Sequence, residues 1–277
     1  IENCVLKLLK IMMVLYFIKS VYRRIMFHLN DLFRQEDWNV GYCDCDIKDF
    51  LELKEKKNLD IHWFKKPARN CYFADPFVIK TKKDTYIFFE WYSYTRGKAD
   101  LAVALKSENF NIYHKITDFK EHKSYPYIFE NNNVIYCMPE SNQTKRVVLY
   151  RFDENDLKLE EDTVLLEGFP IVDATLYHRD NKWFMFLVNQ KNSHTHLEVY
   201  HSDNLKGPYQ AHCNNPVMID CGKARPAGKI FEYQDKTIRP SQNCTEHYGQ
   251  SIVLEEILSR QRTATKRVFY FGLFVFK

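Results

Sequence analysis

One layout recurs four times between residues 70 and 257, and it restricts the fold more than any other feature of the chain. In "CYFADPFVIKTKKDTYIFFEWYSYTRGKADLAVAL" a strand opens at an acidic-proline step. A polar turn, an aromatic strand, a loop and a third strand follow. "KSYPYIFENNNVIYCMPESNQTKRVVLYRF" repeats that order, as do "PIVDATLYHRDNKWFMFLVNQKNSHTHLEVYHS" and "KARPAGKIFEYQDKTIRPSQNCTEHYGQSIVLEEI". The strands alternate with period two, and turns such as "TKKD", "ENNN", "HRDN" and "EYQD" separate them. No 10–15-residue amphipathic helix interrupts them before Gln250. Repeats of roughly 40–50 residues holding three or four strands each are the signature of a β-propeller. The sequence therefore predicts an all-β fold: a five-bladed β-propeller over residues 37–277. Its fifth blade is expected from strands near 38–64 together with the C-terminal "RVFYFGLFVFK".

Residues 1–36 read differently, as an N-terminal helical segment. "IMMVLYFI" (11–18) is apolar, with Lys7 and Lys10 before it and Lys19, Arg23 and Arg24 after. A spanning helix needs about 20 apolar residues, so this segment is expected to dock on the propeller or to lie on a membrane surface. The eight cysteines are scattered. Cys43 and Cys45 form the single close pair, without histidines at zinc spacing, so no metal and no cofactor is expected. Such usage fits a reducing, cytoplasmic setting with peripheral membrane association through the helix. A net charge of +4 without a run of five or more like charges argues against nucleic-acid binding. The 21 Phe and 18 Tyr favour strands and supply faces on which sugars stack.

The first strand of each propeller blade lines the central channel, so the blade starts are where a site would form. They read Ala74-Asp75-Pro76, Ser124-Tyr125-Pro126, Val172-Asp173-Ala174 and Ala224-Arg225-Pro226. The second-strand exits add Glu90-Trp91, Pro139-Glu140-Ser141 and Arg239-Pro240-Ser241-Gln242. Structural turns have no need to alternate carboxylates and guanidiniums at matching places. Converging carboxylates push their pKa values apart, as acid/base work at a glycosidic bond requires. Arginines among them bind anionic groups or hold the carboxylates ionised. The candidate catalytic residues are Asp75, Glu140 and Asp173. The candidate substrate-binding residues are Glu90, Tyr125, Arg225, Arg239, Gln242, Asn243 and Tyr248. His122 and Trp91 are further candidates.

The ordered motifs "FADPFV", "SYPYIFENNNVIYCMPES", "VDATLYHRDNKWFMF", "NNPVMID", "ARPAGKIF" and "IRPSQNCTEHYGQSI" together resemble the N-terminal domain of glucosamine inositolphosphorylceramide transferases. The resemblance covers about residues 38–257. That family is in turn similar in fold to the five-bladed furanosidase group of arabinanases, β-xylosidases, invertases and levansucrases. It implies that Asp75 corresponds to the first-blade base or nucleophile, with Glu140 as its partner acid. Asp173 sits where a third-blade acid would enter the channel. The second blade starts Ser-Tyr-Pro where such hydrolases place a pKa-tuning Asp, and two Arg-Pro steps are foreign to them. Two readings follow. One is a carbohydrate-active enzyme that transfers or cleaves a glycosyl unit in surface polysaccharide or glycolipid assembly. The other is a non-catalytic sugar-binding propeller serving a partner transferase domain.

Overall fold

The computed structural model describes residues 12–13, 16–19, 21–22, 37–52, 59–117, 120–257 and the backbone of 269–272. The chain divides into two compact units, Ile1–Asp37 and Trp38–Lys277. In the first, the described residues 12–13, 16–19 and 21–22 are helical, with Met12, Met13, Tyr16 and Phe17 exposed. No helix among the described residues is long and apolar enough to cross a membrane.

The second unit is a β-propeller. It opens with β1 (Gly41–Tyr42), the short helix Ile47–Glu52 and β2 (His62–Trp63). Four antiparallel sheets follow in chain order. The first is β3 (Cys71–Lys80), β4 (Thr85–Ser93), β5 (Lys98–Leu105) and β6 (Tyr113–Lys115). The second is β7 (Ser124–Asn131), β8 (Val134–Glu140), β9 (Arg146–Asp153) and β10 (Lys158–Glu167). The third is β11 (Ile171–Arg179), β12 (Lys182–Asn189), β13 (His196–Ser202) and β14 (Gln210–Ala211), with β15 (Met218–Ile219) also on β13. The fourth is β16 (Phe231–Tyr233), β17 (Lys236–Asn243), β18 (Ser251–Glu256) and β19 (Phe269–Gly272).

Turn chemistry fixes the inner hairpins. Asn132-Asn133, Asp180-Asn181 and Gln234-Asp235 each form a two-residue connection with both φ values between 48° and 60°. This is the turn whose twist matches paired strands, and Asn and Asp tolerate it best. The middle strands are buried on both faces. Residues 86–90 and 99–104 are buried without a break, as expected of strands sandwiched between neighbouring layers. Tyr86 and Phe88 join the large core with Ile128, Met138, Leu149, Leu176 and Met185. The alternate residues Ile87 and Phe89 join a second core with Phe73, Phe64 and Val40. The outermost β10 is mostly polar, with only Leu165 buried.

The expected five blades are corrected to four among the described residues. The segment assigned to a fifth blade forms only the two-stranded sheet β1–β2. It packs against one face of the first blade, with Phe64 against Phe73, Phe89 and Tyr113. The C-terminal strand goes elsewhere. β19 pairs with β18 from Leu254↔Phe269 to Ser251↔Gly272, so it occupies the open edge of the fourth blade. An apolar edge strand whose N–H and C=O groups lack a partner is the place where such a strand gains most.

Candidate functional site

The site is built from one irregularity used three times. In the first blade Ala74 pairs with Glu90 and Phe77 with Phe88, so Asp75 and Pro76 together face one residue. The second blade repeats this around Tyr125-Pro126, between Ser124↔Glu140 and Tyr127↔Met138. The third repeats it around Asp173-Ala174, between Val172↔Val188 and Thr175↔Phe186. These are β-bulges, and their first residues carry positive φ: 50° at Asp75, 43° at Tyr125 and 50° at Asp173. Non-glycine residues hold such a conformation only where the surroundings enforce it, and functional sites are where it concentrates.

A bulge frees a backbone N–H from the ladder, and a buried N–H needs an acceptor. The neighbouring blade supplies it. Tyr125 N–H donates to Asp75 Oδ2 at 3.1 Å, and Asp173 N–H donates to Glu140 Oε2 at 3.2 Å. The fourth blade contributes through Arg225–Ala227, which run beside β17 by way of the Pro226↔Ser241 bridge and Gln242 N–H to Arg225 O, 2.8 Å. Arg225 Nε donates to Asp173 Oδ2 at 2.5 Å, and Gln242 Nε2 reaches the same oxygen at 3.2 Å. The Arg225 guanidinium also lies 5.0 Å from the centre of the Tyr248 ring.

Four carboxyl groups therefore meet with one guanidinium. Burial and the nearby Asp173 charge push Asp75 up to about 6, against hydrogen bonds from Tyr125 and Glu90. Glu90 lies well above the usual carboxylate range because it is desolvated and faces Asp75, Glu140 and Asp173. Glu140 is raised well above it too, by burial and by Asp173, with Arg225 opposing. Such a site holds protons at neutral pH beside ionised carboxylates, the arrangement that separates an acid from a base.

Of the ten candidate residues, Asp75, Glu90, Tyr125, Glu140, Asp173, Arg225, Gln242 and Tyr248 come together. Two do not. Arg239 is in a separate buried ion pair with Glu255 and also donates to the carbonyls of Lys223 and Ala224. Asn243 accepts from Thr245 N–H and Oγ1, 3.1 and 2.7 Å, and shapes its own loop. Tyr125 is present but is no free sugar ligand. Its hydroxyl accepts from Gly228 N–H at 2.8 Å, pairs with Thr175 Oγ1 at 2.9 Å, and the residue is 3% exposed. Trp91 packs edge-on against Phe73 and Tyr113, with Lys115 over its ring. His122 Nε2 lies 3.8 Å from Glu90 Oε1. His194 was not anticipated. It sits 5.9 Å from the Tyr248 ring, and nothing in "KNSHTH" distinguishes it from a loop histidine.

The family described as glucosamine inositolphosphorylceramide transferase 1, N-terminal, matches residues 64–269. The chain belongs to this family. Among its curated relatives, glucosamine inositolphosphorylceramide transferase 1 of Arabidopsis thaliana is 30% identical over 205 residues, covering 69% of this chain and 26% of that protein. The protein of the same name from Oryza sativa subsp. japonica is 29% identical over 206 residues, covering 70% and 27%. The chain thus spans about a quarter of the length of the curated relatives it matches. Among solved structures, a GH43 β-1,3-galactosidase superposes with a TM-score of 0.55 at 15% identity, covering 68% of this chain and 43% of that one. A thermostable family-43 glycoside hydrolase gives 0.54 at 11% identity, covering 72% and 75%. These two likenesses concern the propeller fold.

Proposed function

We propose that this propeller acts on carbohydrate at a glycosidic bond, by glycosyl transfer or cleavage. The observation that carries the reading is the convergence of Asp75, Glu140 and Asp173 from three consecutive blades onto one guanidinium. Glu140, which keeps its proton, is the acid. Asp75 is the base or nucleophile, and Arg225 with Gln242 orients Asp173. The curated relatives are named glucosamine inositolphosphorylceramide transferases, which supports a glycolipid or polysaccharide-linked sugar as substrate class. The test is a screen of aryl glycosides and nucleotide-activated sugars, the latter with glycolipid acceptors, against wild type, Asp75→Asn and Glu140→Gln. Asp75→Asn should abolish turnover. Glu140→Gln should do so more mildly toward good leaving groups, which need little protonation. Turnover unchanged in both variants would sink the enzyme reading.

One observation favours the second reading, a sugar-binding module serving a partner transferase domain. Asp173 is 3% exposed and the same oxygen receives both Arg225 and Gln242, so it has little freedom to take part in chemistry. Sugar binding by calorimetry that survives in Asp75→Asn, without turnover in wild type, would select this reading. We also propose that the basic-flanked apolar segment near residues 11–18 contacts a membrane surface from the cytoplasmic side.

A further inference from the structure

Glu90 lies deeper than Asp75 and Glu140. It is 5% exposed, while Asp75 and Glu140 are only half-buried. Its place opposite Ala74, the residue before the bulge, sets it beside Asp75, and the two carboxyl groups are close enough to share a proton. Two touching carboxyl groups with no cation between them do not both ionise. The guanidinium of the cluster is engaged by Asp173. One member of the Asp75–Glu90 pair therefore carries a proton, and the deeper one is the better place for it.

His122 is a second neighbour of Glu90. The backbone N–H of Ala99 donates to His122 Nδ1 at 3.1 Å, so in the neutral ring the proton is on Nε2. Nε2 lies 3.8 Å from Glu90 Oε1, beyond hydrogen-bond distance. Burial lowers the His122 pKa and favours this neutral form. Glu90 is thus enclosed by Asp75 from β3, His122 from the segment before β7, and more distantly by Glu140 from β8, Asp173 from β11 and Tyr248 from the fourth blade.

We infer that Glu90 is a positioning residue that keeps its proton and donates it to Asp75, so that Asp75 alone faces the sugar as a carboxylate. This replaces the substrate-binding role expected for Glu90, and it rests on Asp75 being the working carboxylate of the proposed site.

The test reads the Asp75 titration directly, by NMR of the whole protein labelled with carboxyl-¹³C aspartate, the resonance being assigned by its loss in Asp75→Asn. Glu90→Gln keeps a donor of the same shape, so the proton affinity of Asp75 should change less than threefold. Glu90→Leu removes the donor, so the proton affinity should rise more than threefold. A fall of threefold or more in Glu90→Gln would mean that Glu90 is an anion in the wild type, and a larger rise would mean that its donor role is wrong. Either overturns the inference, as does a smaller rise in Glu90→Leu. If Glu90→Leu does not fold, the Glu90→Gln result and the Glu90 resonance in ¹³C-glutamate protein decide, since a Glu90 that ionises below pH 6 also refutes the inference. No sugar is needed. Failure of the pair is thereby separable from failure of the carbohydrate reading, which the substrate screen tests alone.

Discussion

Asp75→Asn should make the protein more stable while removing the turnover proposed for it. The side chain is shifted from the usual 3.8 to about 6 by burial first and by Asp173 second. Folded protein thus keeps a proton that the unfolded chain releases between those two values. In this window the native state binds more protons, so stability falls as pH rises from about 4 to about 6 and stays low above it. Each tenfold change in proton affinity corresponds to about 1.4 kcal/mol, so about two powers of ten amount to ~3 kcal/mol at pH 7.5. Asparagine removes this penalty and tolerates the φ of 50° at this position. It offers one acceptor oxygen where aspartate serves both Tyr125 N–H and Glu90, which trims the expected gain to about 1–3 kcal/mol. Urea unfolding of both proteins at pH 4.5 and pH 7.5 is the assay. The difference between them reports on Asp75, since the other carboxyl groups are common to both proteins. A variant no more stable than wild type at pH 7.5, or one whose advantage is equally large at pH 4.5, would refute the argument.

Arg239→Met leaves Glu255 buried without its guanidinium, the two side chains being only 4% exposed each, and should cost about 3–5 kcal/mol. Arg239→Met with Glu255→Leu should recover to within about 1 kcal/mol of wild type, and sugar binding should be unaffected in that double variant. Lost sugar binding in a stable double variant would return Arg239 to the site. For the N-terminal segment, the chain should float with anionic lipid vesicles and be released by high salt. Equal recovery on neutral vesicles, or none on either, would exclude an electrostatically assisted surface contact.

The propeller was legible because each repeat carries its own turn chemistry, and pairs such as Asn132-Asn133 and Asp180-Asn181 adopt the conformations their residue types favour. The blade count was not legible. "RVFYFGLFVFK" announces an apolar strand, but nothing in it states which open edge it will join, and pairing with β18 decided that. Arg239 misled for a different reason. It shares the second-strand exit with Glu90 and Glu140 in the sequence, yet side chains alternate along a strand, so Arg239 shares a face with Ser241 and is paired with Glu255, while Gln242 points the other way into the cluster.

The bulges explain why blade starts as different as Asp75, Tyr125 and Asp173 occupy one structural slot. What repeats is a backbone device rather than a side chain: a freed N–H that must find an acceptor on the preceding blade. Asp75 and Glu140 serve as those acceptors, so the same oxygens that are proposed to meet the sugar also tie the blades together. Tyr125 then loses nothing by lacking a carboxylate, since its hydroxyl ties the second blade to Thr175 of the third and to Gly228 of the segment leading into the fourth. A carboxylate bound by a neighbour's amide is also held in one orientation, which is what acid/base chemistry demands of it. In this ring the requirement to satisfy the bulges and the requirement to aim the acids are met by the same hydrogen bonds.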